Sequence, residues 1–273
     1  MTRSAPASRP ARLLAVLAAL LLTATFAGCN ASADSGSDAG PSADETATAE
    51  GTSYPLTLTT PYGTTTLEKK PERVAVVGPV GDLDNVLALG VTPVLAPESQ
   101  TTWPWIDQTV ASKIETKYAT GQGGGDTTLP FETVAASTPD VIIAITDTGL
   151  EKNYANLSKI APVVALPDKP SASEVDWEAA IRLVGQALDR NTEAEQQITK
   201  TEELIAKVKQ DNPEFAGKSI TFAINYGAEY GVAYFNYAGS PAETFLTNLG
   251  FAPGKNAGEF TGQNNQVRAE QIP

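Results

Sequence analysis

The chain has 273 residues, 41% of them hydrophobic, with 19 basic against 32 acidic side chains and a formal net charge of −13. That composition permits a real core and excludes disorder throughout, and the acidic balance argues against a nucleic-acid partner, because phosphate binding needs a basic face. There is no histidine, the one methionine is Met1 and the one cysteine is Cys29. A Ser-His-Asp or Cys-His nucleophile, a zinc or copper site built on imidazole or sulfur, and an internal disulfide are therefore excluded, while a site of oxygen ligands from Asp, Glu or Tyr stays open.

Residues 1–28 read as a secretion signal. Arg3, Arg9 and Arg12 form a basic start, and Leu13 to Phe26 is an apolar core too short to span a bilayer comfortably. Phe26-Ala27-Gly28-Cys29 then resembles a bacterial lipobox, with Phe26 where Leu is usual. That resemblance implies a diacylated Cys29 as the mature N-terminus. Residues 29–53 carry Asn, Ala, Ser, Asp, Gly, Thr and Glu and no large apolar side chain, the composition of a disordered tether. Tyr54 to Leu67 alternates polar and apolar residues about Pro61-Tyr62-Gly63, which predicts a hairpin.

Pro71 to Val94 predicts one βαβ unit. Val74-Ala75-Val76-Val77 is a doubly buried strand closed by Gly78, and Asp82 to Leu89 has Leu83, Val86, Leu87 and Leu89 at helical spacing. Gly90 is the helix stop, and a second short apolar run begins at Val91. Parallel strands follow, and a ligand in such a sheet sits beyond their carboxyl ends, at Gly78 to Asp82 and Ala96 to Trp105. Val94 to Gly125 reads as mostly loop with a short helix over Trp105 to Ala111, where Trp103 and Trp105 either pack the loop down or line the cleft mouth. Gly121 to Asp126 is glycine-rich but lacks the Lys-Ser/Thr of a phosphate-binding loop and fails G-x-G-x-x-G, so it reads as a flexible surface loop.

Leu129 to Thr146, LPFETVAASTPDVIIAIT, predicts a helix, a Pro139-Asp140 break and a buried strand, with Asp147 and Thr148 on the same edge. Ser173 to Gln210 is the longest helical stretch, with Trp177, Ile181, Val184 and Leu188 on one face. An interruption is expected at Asp189 to Thr192, with Thr192 and Glu195 as a capping box and Gly185 as a packing glycine. Lys218 to Tyr226 predicts a strand, and Ser240-Pro241 a capped helix running to Gly250.

Four of these stretches, Pro71–Val94, Leu129–Thr146, Tyr154–Leu166 (YANLSKIAPVVAL) and Gly239–Phe251, resemble the substrate-binding proteins of ABC importers for iron(III)-siderophores, a group that also includes cobalamin and haem binders. The resemblance covers nearly all of Tyr54 to Pro273. It implies an α/β fold of two Rossmann-like lobes joined by a long helix, with the second lobe incomplete: a first lobe over 54–170, a connecting helix over 171–213 and a partial second lobe over 214–273. By that pattern the elements that complete the second lobe are missing after Pro273, and poor solubility or a mobile C-terminus after Gly250 is expected. The resemblance further implies capture of a ferric siderophore outside the cell and delivery to a membrane permease. No enzymatic activity and no cofactor are implied, and iron is held only inside its chelator.

Expected ligand contacts are Trp103, Trp105, Tyr118, Asp147 and Thr148 on the first lobe, and Asn225, Tyr226, Tyr234, Asn236 and Tyr237 on the second. The family also places ligand contacts in the Gly121–Asp126 loop. Glu132 and Glu270 match its two permease-docking glutamates; by itself Glu132 is only a helix-start acid favoured by the dipole. The protein is expected to act as a monomer, lipid-anchored at the outer face of the membrane. Arginines able to clamp an anionic chelate are not evident on the first-lobe edge, which tilts the expected ligand to a neutral or cationic hydroxamate-type chelate over a catecholate. Two other classes stay open: a surface hydrolase using carboxylates among Asp126, Glu132 and Asp147, and a lipid-anchored adhesion or signalling module without a small ligand.

Overall fold

The computed structural model describes residues 51–119, 129–147, 149–168, 174–227, 231–255, 257–261 and 265–267. Its centre is the strand predicted first. β3 (Val74–Val76) is fully buried, with Val74 and Val76 facing one core and Ala75 and Val77 the other. Alternate residues serve opposite faces because strand side chains alternate, so a run apolar at every position needs cover on both sides.

That cover makes a three-layer lobe. A five-stranded parallel sheet runs in the order β5 (Thr116–Tyr118), β4 (Leu95–Pro97), β3, β6 (Val141–Ile143), β7 (Val163–Val164). One face packs α1 (Asp82–Ala88) and α6 (Trp177–Leu188) through Leu83, Val86, Ile181, Val184 and Leu188. The other buries Val134 of α4 (Phe131–Ala136) and Leu150 and Leu157 of α5 (Leu150–Leu157). The expected hairpin is present as β1 (Leu56–Thr60) and β2 (Gly63–Leu67), and Thr65 Oγ1 ties it to the sheet by donating to the Val163 carbonyl at 2.7 Å.

Two sequence expectations need correction. Among the described residues the stretch after Val94 is more regular than expected: besides α3 (Gln108–Ala111), which falls within the short helix expected over Trp105 to Ala111, it holds a one-turn helix, α2 (Glu98–Thr101), and the edge strand β5. β5 has only three residues and one inward aromatic, too little alternation to signal a strand. The long helical stretch is interrupted where expected: α6 and α7 (Asn191–Asp211) meet at Asp189, whose φ of 54° breaks the ladder. The capping box is absent: α7 already begins at Asn191, so Thr192 lies inside its first turn and the N-cap is Arg190, which has no acceptor side chain, while Glu195 accepts from Arg182 Nε across the pair at 2.8 Å.

Gly185 lies at that helix–helix contact, as expected. A Cβ there would stand 2.8 Å from Ala194 Cβ and 3.1 Å from the Arg190 carbonyl oxygen, both parts of the tight turn into α7. Gly185→Ala is expected to cost about 2 kcal/mol by forcing the helices apart. Denaturant unfolding checks this; an unchanged midpoint would mean the turn gives way freely.

The C-terminal part carries a second, three-stranded sheet ordered β10 (Gln266–Val267), β9 (Val232–Tyr234), β8 (Ala223–Asn225), antiparallel throughout, with one parallel bridge from Ser219 to Ala252. Of the strand expected over Lys218–Tyr226, only β8 is regular. α8 (Pro241–Asn248) begins as expected: Ser240 Oγ accepts from the Glu243 amide at 3.1 Å and Pro241 takes the first turn. Among the described residues no helix is long and apolar enough to cross a membrane.

Candidate functional site

Chain order reverses between β3 and β6. The connection leaving β3 runs to β4 on one side, whereas β6 comes in on the other, so the loops beyond their carboxyl ends diverge, which is where a sheet of this kind takes a ligand. The candidate site is that switch point, between Gly78–Asp82 and Ile145–Asp147.

Asp82 bridges the two sides. It is fully buried in the first turn of α1, yet its carboxylate accepts from the far loop. The Ile145 amide donates to Oδ2 at 2.8 Å, the Thr146 amide to Oδ1 at 3.2 Å and the Thr146 hydroxyl to Oδ1 at 3.0 Å. Thr146 Oγ1 also accepts from the Val80 amide at 3.3 Å, which closes a ring of contacts around the crevice floor. Desolvation dominates the electrostatics here. It pushes the Asp82 carboxyl up from 3.8 to about 7 despite the opposing hydrogen bonds of Thr146 and Ile145, with the nearby Asp147 charge adding to the rise.

The loop after β4 is fastened to the same floor. Gln100 is fully buried and its Nε2 donates to the Gly78 carbonyl at 2.8 Å. Tyr118 donates its hydroxyl to the Val77 carbonyl at 3.1 Å, and burial raises the phenol, helped by the Asp147 and Asp82 charges. The same connecting loops carry exposed groups. Val80 is 57% and Trp105 66% exposed. The Trp103 and Trp105 rings lie 5.0 Å apart, and Trp105 Nε1 donates to Asp84 Oδ1 at 3.0 Å. Asp84 is raised by desolvation against that bond.

Of the first-lobe residues expected to contact ligand, Trp103, Trp105 and Asp147 lie on the segments past the strand ends, whereas Tyr118 is buried with its hydroxyl given to Val77, and Thr148 lies outside the described residues. Asp147 is half-buried and accepts from the Gly149 amide at 2.8 Å and Asn153 Nδ2 at 3.2 Å; desolvation raises its carboxyl. The second-lobe set sits on the separate antiparallel sheet and divides. Asn225 and Tyr226 are exposed on and beside β8, and Asn225 Oδ1 accepts from the Gly227 amide. Tyr234, Asn236 and Tyr237 are buried. Asn236 is a backbone clamp, accepting from the Phe222 amide at 2.7 Å and donating to the Ile220 carbonyl at 2.8 Å, while Tyr234 packs its ring 4.7 Å from Phe260. Glu132 is exposed in the first turn of α4; Cys29, the Gly121–Asp126 loop and Glu270 lie outside the described residues.

Sequence reasoning missed Asp82, Gln100 and Thr146. A signal existed for Asp82: an acid just after Gly78 and Gly81, at a predicted sheet edge, reads as a helix-start acid until the strand order puts β6 beside it. Among the described residues no group of three or more acidic, His or Cys side chains could hold a metal ion.

Comparison with known proteins agrees with this architecture. A curated ABC transporter substrate-binding lipoprotein of Bacillus subtilis, YhfQ, described there as putative, is 32% identical over 148 residues, 54% of this chain. The match spans 44% of the length of that relative. The crystal structure of the iron uptake ABC transporter substrate-binding protein PiaA from Streptococcus pneumoniae is 31% identical with a TM-score of 0.61, covering 74% of this chain and 69% of PiaA. PiaA in complex with ferrichrome matches at 29% identity and a TM-score of 0.63, over 78% of this chain and 73% of that one. The model of the periplasmic binding protein family matches residues 76–273, which takes in the whole switch point, and the chain belongs to that family.

Proposed function

We propose that this protein is the extracytoplasmic substrate-binding component of an ABC importer, which captures a ferric siderophore and delivers it to a membrane permease. The observation that carries this reading is a polar, fully built floor at the sheet's switch point with a pair of tryptophans on the loop after β4, in a chain belonging to a family of binding proteins. PiaA's complex with ferrichrome supports the ligand class. The iron stays inside its chelator as cargo, so no resident cofactor is required, and the protein is a binder rather than an enzyme. Lipidation at Cys29 would hold it on the outer face of the membrane by the 29–53 tether. Glu132 and Glu270 would meet the permease. The lobe over 54–170 would supply Trp103, Trp105, Asp147 and Thr148, and the part over 214–273 would close on the ligand with Asn225 and Tyr226.

Charge narrows the ligand. Residues 74–112 and 129–147, which hold the switch point, contain no Lys or Arg, while Asp84, Glu98 and Asp147 lie on the segments after β3, β4 and β6. A polyanionic catecholate chelate would meet only repulsion there; a neutral or cationic hydroxamate-type chelate would not.

Titrating the tryptophan fluorescence of the chain from Asn30 with ferrichrome, iron-free ferrichrome and a ferric tris-catecholate tests this. Saturable quenching by the first alone is expected. Trp105→Ala should weaken that binding about tenfold while leaving the unfolding midpoint in place, because the exposed ring contributes contact area rather than core. Equal response to the catecholate would sink the charge reading, and no response to any ferric chelate would sink the ligand class.

A further inference from the structure

The crevice floor holds a buried carboxylate that no direct contact with a ligand would require. Asp82 lies beneath the rim, and its three donors all come from the loop after β6. Through Thr146 Oγ1 it reaches the Val80 amide, and therefore the Gly78–Gly81 loop whose other anchor is the Gln100 amide group. One side chain thus joins both walls of the switch point. Resting on the reading above, we propose that Asp82 is a positioning residue which presets the rim, and that the gain or loss of its proton tunes how tightly the rim holds a ligand.

As a carboxylate, Asp82 accepts charge-assisted bonds from two strand-end amides and a hydroxyl at once. Protonated, it gives one oxygen over to an O–H that must itself find an acceptor, and Thr146 Oγ1 is the one within reach. Thr146 Oγ1 then accepts from Asp82 as well as from Val80, its own hydrogen loses the Asp82 oxygen as acceptor, and the hydroxyl must turn to find another, which loosens its hold on the Val80 amide and the Gly78–Gly81 loop. Burial places this change near neutrality. The groups facing Asp82 are Asp147 beyond β6 and Tyr118 on β5, with Asp84 one turn-position away on α1 and exposed Glu98 opening α2; the bonds to Asp82 among the described residues come from no basic side chain.

The test follows the amide NMR signals of Val80, Ile145 and Thr146 from pH 5 to 9, with ferrichrome affinity measured across the same range. In the unaltered chain the three signals should titrate together, and affinity should fall about tenfold on the acid side. Asp82→Asn should abolish the shared titration and hold affinity at the weak value at every pH. Asp84→Asn should leave the titration of these amides in place. Should Asp82→Asn fail to fold, Thr146→Val supplies the second arm: Ile145 still titrates while Val80 falls silent. A Val80 signal that ignores the titration of Ile145 in the unaltered chain, or an affinity flat across it, overturns the proposal. Coupled titration with no chelate bound at any pH supports the preset rim and overturns the ligand reading instead.

Discussion

Gly78→Ala is expected to destabilise the protein by about 3 kcal/mol, out of proportion to one added methyl group. A Cβ at Gly78 would overlap the Asp82 carboxylate and stand 2.6 Å from Thr146 Oγ1. A carboxylate at the end of a side chain would normally swing aside at little cost. Here it cannot, because the Ile145 and Thr146 amides and the Thr146 hydroxyl hold it, and moving it leaves buried donors unpaired. The strand must therefore shift, and β3 is hydrogen-bonded on both sides, to β4 and to β6. Urea unfolding of Gly78→Ala, Asp82→Ala and the double variant tests the cause. If the overlap is the source, the double variant is more stable than the two single costs predict, by at least about 1 kcal/mol. Additive costs would place the strain elsewhere.

The same glycine shows how far the sequence could be read. Gly78 is legible as the end of a buried strand, since a four-residue apolar run closed by glycine suits little else, and β3, α1, α4, β6 and the hairpin all follow from periodicity of that kind. The place of Trp103-Pro104-Trp105 just past a strand end was legible for a related reason, and the structure adds that Trp105 is exposed. The floor was not legible. Asp82 meets Thr146 across 64 positions in sequence, and only the strand order that sets β6 beside β3 brings them together. Gln100 is likewise a polar residue in a one-turn helix, and its zero exposure comes from the packing of the loop against Gly78. On the second sheet Tyr234, Asn236 and Tyr237 are expected ligand contacts that the structure buries. Alternation along so short a strand does not say which face is covered, and the cover comes from Phe260 and from the Ile220–Phe222 backbone. Family membership names the region of the site, but it leaves to the geometry which side chains point outward.

Stability should fall by about 4 kcal/mol between pH 4 and pH 7 on account of Asp82 alone. Its carboxyl is raised from 3.8 to about 7, first by desolvation. Over that window the folded chain keeps the proton and the unfolded chain has lost it, so raising the pH favours unfolding. The contribution is fully present below the unfolded value and gone once the pH passes the folded one. Asp84 and Asp147, both raised by desolvation, act in the same sense, whereas Asp107 and Asp189, lowered by backbone hydrogen bonds, act in the opposite one. The comparison that isolates Asp82 is therefore the difference between the unaltered chain and Asp82→Asn, measured by denaturant unfolding at each pH. Asp82→Asn should gain on the unaltered chain steadily from pH 4 to 7 and then level off, and a difference independent of pH would show that the carboxylate is already ionised, or already solvated, in the fold. The gain would come with a loss. An ionised, buried carboxylate is costly to keep, and an amide in its place removes that cost together with the charge that draws the Ile145 and Thr146 amides to one point. A floor that is least stable near neutral pH, where its bonds to the rim are strongest, is the arrangement expected of a site under selection for holding a ligand rather than for stability.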